Sequence, residues 1–138
     1  MSELLPGTEL EQAIEQFNTQ EFYACHDTLE ALWVAAPVPE KKFYQGLLQI
    51  AVACHHLGNS NWRGATIMLG EGRFRLREYE PAYQPDDQPQ NVDIEHIRNA
   101  AAALLTDLQA IQPEEVTQFL LEFTNGQRFY PAIKIITP

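Results

Sequence analysis

Apolar residues recur at intervals of three and four along nearly the whole chain, and prolines and glycines cut that pattern into pieces of helical length. Such a pattern restricts the fold to packed helices, each hiding one stripe. Thr8 with Glu11 three residues later reads as a capping box for a first helix to about Gln16, with Leu10, Ala13, Ile14 and Phe17 on one face. A second helix runs from about Thr19 through Phe22, Leu29, Leu32 and Trp33. It must stop at Ala35 or Ala36, because Pro37 and Pro39 cannot continue it. Pro39 then opens a third helix with Glu40 in its first turn, closed by Gly58-Asn59. That helix is apolar nearly all round and is expected to be the most buried.

A fourth helix is expected from about Asn61 to Tyr79, ended by Pro81. The stretch AYQPDDQPQN, from Ala82 to Asn91, has clustered polar groups and no aliphatic residue larger than alanine, which predicts an exposed loop. A fifth helix, capped by Asp93, carries Ile94, Ile97, Ala101, Leu104, Leu105, Leu108 and Ile111. From Pro113, PEEVTQFLLEF fits either a helix stopped by Gly126 or the first arm of a hairpin turning at Asn125-Gly126. The stripe of Val116, Phe119, Leu120 and Phe123 favours the helix. The tail RFYPAIKIITP is expected to dock in extended form.

The expected fold is therefore all-α: a single-domain helical bundle of about five to six helices with an extended C-terminal tail, spanning residues 1–138. With 138 residues, 45% apolar and 20% charged, the chain has the size and composition of one ordinary globular domain. Its 19 acidic against 9 basic residues give a net charge of −10, which repels a phosphate backbone and argues against nucleic acid as a partner. The start, MSELLPGTELEQ, has neither a basic nor an apolar targeting segment, and the longest apolar run, Gly46 to Cys54, is too short to span a bilayer. A cytoplasmic protein without a membrane partner is expected. Cys25 and Cys54 are too few for a disulfide framework and are expected as buried reduced thiols.

The polar residues of helices two and three are the informative ones. A short connection makes these helices antiparallel neighbours. His26 and Glu30 are one turn apart on helix two, with Trp33 at the next, and Gln45, Gln49, Val52 and His56 form one stripe on helix three. If the stripes face each other, Gln45 meets Glu30 and Gln49 meets His26. His56 then lies about two turns from His26.

This seam has two readings. In one, His26, Glu30 and His56 hold a divalent ion such as zinc, manganese or iron, with Asp27 as general base or as support for His26, and Gln49 orienting His26. In the other, the same groups satisfy one another and fix which helices pair. Trp33, Tyr44 and Trp62, with Gln45 and Asn61 beside them, would line a small-ligand pocket or else are core. Arg63, Arg73, Arg75 and Arg77 lie on helix four near Glu71, Glu78 and Glu80, which suits ion pairs better than an anionic ligand. Gly64, Gly70 and Gly72 weaken that helix, and each needs compensation through close packing or room for a ligand. No nucleophile elbow, phosphate-binding glycine loop, CxxC pair or HExxH helix is present.

FNTQEFYACHDTLEALW, from Phe17 to Trp33, resembles the pattern F-N-x-x-x-[FY]-[FY]-x-x-H-[ED]-x-L-E-x-x-W. GLLQIAVACHHLGNSNWRGA, from Gly46 to Ala65, resembles G-L-[IL]-Q-x-A-V-A-x-x-H followed by G-N-x-x-G-A. Together they resemble the domain-of-unknown-function family 309, small all-helical proteins described in places as predicted metal-dependent hydrolases. The resemblance falls on His26, Glu30, Trp33, Gln49, His56, Asn61 and Gly64. The chain departs from the pattern at Asp27, where the family usually has Glu, and at Ser60, where it has Gly. The likeness implies a metal-dependent hydrolase. The alternative is a non-enzymatic helical interaction or structural module, a homodimer, in which the seam is a core hydrogen-bond network.

Overall fold

Residues that cannot extend a helix set the architecture. In a computed structural model describing residues 8–137, Thr8 by its backbone alone, six α-helices form: α1 Thr8–Asn18, α2 Phe22–Ala35, α3 Val38–Gly58, α4 Trp62–Leu76, α5 Ile94–Gln109 and α6 Val116–Thr124. The Thr8 cap expected for α1 lies outside the described residues. Helix α2 starts three residues later than its pattern suggests, because Gln20 takes a left-handed backbone (φ 62°) that ends the preceding turn. Ser60 does the same between α3 and α4 (φ 61°). Pro37, just before α3, separates it from α2, and a 3-10 turn at Arg77–Tyr79 finishes α4.

Helix α3 lies at the centre, against α2 on one side and α4 on the other. Its buried residues, among them Phe43, Leu47, Ile50, Ala51, Cys54 and Leu57, take up most of its circumference, and Lys41, Gln45, Leu48, Val52 and His55 form the one half-buried stripe. The α3–α4 contact is close enough to depend on glycine. A Cβ on Gly72 would stand 2.8 Å from the Gly46 carbonyl oxygen, and one on Gly46 would stand 2.7 Å from Leu76 Cγ. Those two helical glycines let the backbones touch, which offsets their cost to helix stability.

The helix expected after Pro113 is present as α6, preceded by a 3-10 turn in which Glu115 accepts from the Gln112 amide at 2.7 Å. The tail docks in extended form as expected, and it also finds a partner. Strands β1 (Ala82–Tyr83) and β2 (Val92–Asp93) pair antiparallel, and Ile135 bridges to Val92. The Asp93 amide donates to Lys134 (2.9 Å) and the Ile136 amide to Asn91 (2.8 Å).

Asn18, at the end of α1, clamps the same tail from the other side. Its side chain donates to the Ile133 carbonyl at 2.9 Å and accepts from the Ile133 amide at 2.8 Å.

The stretch from Ala82 to Asn91 is not the freely exposed loop that its polarity suggests. Pro85, Gln88 and Gln90 are buried, and the Gln88 side chain accepts from the Leu10 amide at 3.3 Å. Glu40, only 4% exposed, secures the segment from below: one carboxylate oxygen accepts from the Asp86 amide (2.7 Å) and the Tyr83 hydroxyl (3.3 Å). Glu40 and the Gln88 oxygen are buried here because backbone and hydroxyl donors satisfy them, whereas the buried Gln90 side-chain oxygen meets no donor among the described residues. Burial and the nearby Glu40 carboxylate push the Tyr83 hydroxyl up to about 12, so it remains a donor at neutral pH.

Candidate functional site

The start of α2 and the end of α3 meet at one end of the bundle, where the two stretches resembling the family converge. Tyr23, 63% exposed, stands between two histidines, its ring 6.0 Å from that of His26 and 5.5 Å from that of His55. His26 Nδ1 lies 3.2 Å from the Asp27 carboxylate, and His55 Nε2 lies 3.3 Å from the Asn59 side-chain nitrogen. Tyr23, His26, Val52 and His55 border a small apolar hollow. Beside it a crevice of about 550 Å³ runs past Glu21, Tyr23, His55 and Asn59 to Tyr130. The Tyr130 ring is held against Phe123 (4.3 Å) and Phe22 (5.0 Å).

Gln49 does not join this group. The expected contacts of Gln49 with His26 and of Gln45 with Glu30 are not formed, because α3 is rotated so that Gln49 faces α4. Its amide donates to Glu71 at 3.1 Å and its oxygen accepts from Arg75 at 3.1 Å. Arg75 also lies 3.7 Å from Glu71. Gly46, three residues before Gln49 and on the same face, is the sequence signal that could have set this rotation, since the contact between α3 and α4 needs it.

His56 also turns towards α4. Its ring packs where a Cβ on Gly64 would stand, 2.7 Å away, and its Nδ1 lies 3.3 Å from the Asn61 side-chain nitrogen. Asn61 caps α4 by accepting from the Gly64 amide at 2.9 Å. Glu30 is exposed on α2.

Zinc and similar ions need three or more donors converging within about 2.0–2.3 Å of one point. Among the described residues, no three His, Cys, Asp or Glu side chains form such a group. The positions of His26, Glu30 and His56 therefore do not fit the ion that the resemblance implies. Asp27, expected as general base, contacts His26 alone among the named residues.

The expected aromatic pocket is likewise dispersed. Trp62 donates its indole N–H to the Leu108 carbonyl at 2.7 Å, fastening α4 to α5. Tyr44 is buried in the core against Phe43, and Trp33 packs half-buried at the edge of the same core. Gln45 is half-buried on α3. Cys25 and Cys54 are buried free thiols; burial pushes Cys25 up to about 12 and raises Cys54 as well, so neither supplies a thiolate at neutral pH. Of the expected arginine pairs, Arg75 meets Glu71, whereas Glu80 is taken by Arg98 (2.7 Å) and Glu78 by Lys42 (3.5 Å). Sequence reasoning missed Tyr23 and the buried Glu40. The exposed Tyr23 ring beside two histidines was signalled only by its place three residues before His26 and by the second aromatic position of the family pattern.

These local arrangements coincide with a known sequence family. Residues 10–68 match the family described as domain of unknown function (DUF309). The DUF309 match covers α1, α2, α3 and the first part of α4, and so includes Tyr23, His26, Gln49, His55, His56, Asn61 and Gly64. An uncharacterized protein named YpuF from Bacillus subtilis is 30% identical over 67 residues, which make up 48% of this chain and 38% of YpuF. The chain thus aligns with well under half the length of that relative. No solved structure matches the chain. No helix among the described residues is long and apolar enough to cross a membrane.

Proposed function

We propose that the chain is a non-enzymatic helical module, and that the polar residues it shares with the DUF309 pattern hold helices together rather than a metal ion. One observation carries this: the polar groups expected to form a single seam are divided by α3. Gln49 and His56 bind α4 and its cap, while His26 stays with Tyr23 at the surface. Hydrolysis at a metal needs a shared centre for ion, water and base. Here the candidate ligands lie apart. Equilibrium dialysis of tag-free protein against zinc, manganese and iron tests the proposal. Uptake well below one ion per chain, with a lower melting temperature in Gln49→Ala and His56→Ala, supports it. One ion per chain, lost in His26→Ala, overturns it.

A second reading is favoured by the crevice beside Tyr130. Its volume of about 550 Å³ and its aromatic walls suit a small molecule, and such a ligand would touch Tyr23 and His55. Binding of this kind would perturb the backbone resonances of residues 20–24 and 58–59 and would be lost in Tyr130→Ala.

A further inference from the structure

An open cavity of about 660 Å³ lies between α1, α2 and the segment that follows β1. Its floor is apolar, made by Ala31, Leu32 and Ala35 of α2, while Glu9 of α1 and Asp87 and Gln88 of the segment stand on its other sides. Among the described residues, no lysine, arginine or histidine lines it.

The carboxylates here are not neutralised by neighbouring side chains. Among the described residues, neither Glu9 nor Asp87 pairs with a cationic side chain. Glu40, which holds the same segment, takes its hydrogen bonds from neutral donors, the Asp86 amide and the Tyr83 hydroxyl. All three charges act on one buried group: burial first, then Glu40, Asp87 and Glu9, push the Tyr44 hydroxyl up. Like charges gathered from three separate elements repel one another and favour a cation placed among them.

Gln88 adds a second, independent demand. It is only 6% exposed, and its side-chain oxygen is turned to the Leu10 amide. The two ends of a carboxamide diverge, so the nitrogen points away from Leu10, and it donates to no group among the described residues. Nor is that nitrogen sealed from water, since among the described residues Gln90 Oε1 is the only buried side-chain atom left without a partner. Its opening is the cavity that Gln88 lines. A donor held in this way is met by an acceptor on whatever enters.

We propose that this cavity binds a small aliphatic amine that also carries a hydroxyl or carbonyl oxygen. The ammonium lies between Glu9 and Asp87, the alkyl chain covers Ala31, Leu32 and Ala35, and the oxygen accepts from Gln88. The site shares no residue with the crevice beside Tyr130 and is independent of binding there.

Titration of the full chain with aminopentanol, its amine and hydroxyl at opposite ends, tests the proposal through the backbone amide resonances. Those of residues 9–12 and 86–88 should shift saturably. Glu9→Gln and Asp87→Asn, which keep the size of each side chain, should each raise the dissociation constant at least about fivefold. Pentanediol, of the same chain length but uncharged, should leave these resonances unmoved. Pentylamine, which lacks the oxygen, should bind at least about threefold more weakly than aminopentanol. No saturable shift with aminopentanol, equal binding of pentanediol or of pentylamine, or an affinity unchanged in both carboxylate variants would each overturn the proposal.

Discussion

The side-chain amide of Gln49 on α3 donates to the Glu71 carboxylate on α4 at 3.1 Å, and Arg75 closes the group by donating to the Gln49 oxygen. Gln49 is 8% exposed, so its amide is satisfied away from bulk water, whereas Glu71 and Arg75 reach the surface. Removing it should cost stability through the two lost hydrogen bonds and the lost packing between α3 and α4, since water can reach the partners left behind. Gln49→Ala is expected to lose about 0.5–1.5 kcal/mol in urea denaturation.

Gly72 should tolerate no side chain. A Cβ there would lie 2.8 Å from the Gly46 oxygen and 3.1 Å from the Ile50 nitrogen, both backbone atoms of a central helix. Gly72→Ala must push α4 off α3, at a cost of about 1–3 kcal/mol, although alanine is the better helix former. A melting temperature equal to or above that of the wild type would show that the helices are less tightly apposed.

Ser60 holds a left-handed backbone, φ 61°, at the position where the family pattern carries Gly. A residue with a Cβ loses roughly 1–2 kcal/mol in this conformation, and part of the gain from glycine is offset by its greater freedom when unfolded. Ser60→Gly is therefore expected to stabilise the protein by about 0.5–1 kcal/mol, measured as a rise in the urea midpoint at constant m-value.

Stability should fall in alkali before most exposed groups respond. Burial raises Cys25 from its ordinary value of 9.0 to about 12, and Tyr83 from 10.0 to about 12. Between those limits the unfolded chain has released protons that the folded chain still holds. The folded state therefore loses stability as pH rises from about 9 towards 12, and keeps this contribution in full below 9. Cys25→Ala should flatten the decline between pH 9 and 10 in a series of denaturation curves.

The helices and their ends were legible because periodicity, proline and glycine act locally. Pro37, Pro39, Gly58 and Asp93 fall at helix boundaries. The rotation of α3 was not legible. The half-buried stripe of α3, Lys41, Gln45, Leu48, Val52 and His55, mixes apolar with polar residues, so the placement of Gln49 could not follow from hydrophobicity, and matching the levels of α2 and α3 gave the wrong partner. The close approach at Gly46 and Gly72 decides that rotation, and it is a contact between helices distant in sequence. Composition also misjudged the loop after Tyr83. The buried Gln88 is accommodated there by the Leu10 amide, which composition does not reveal.

The most direct test of the central claim is thermal denaturation of the wild type, His26→Ala, Gln49→Ala and His56→Ala, each with added zinc and with chelator. If the shared polar residues serve helix packing, Gln49→Ala and His56→Ala melt lower than the wild type, His26→Ala melts close to it, and neither zinc nor chelator moves any curve. A zinc-dependent rise in the melting temperature of the wild type that disappears in both His26→Ala and His56→Ala would contradict the account.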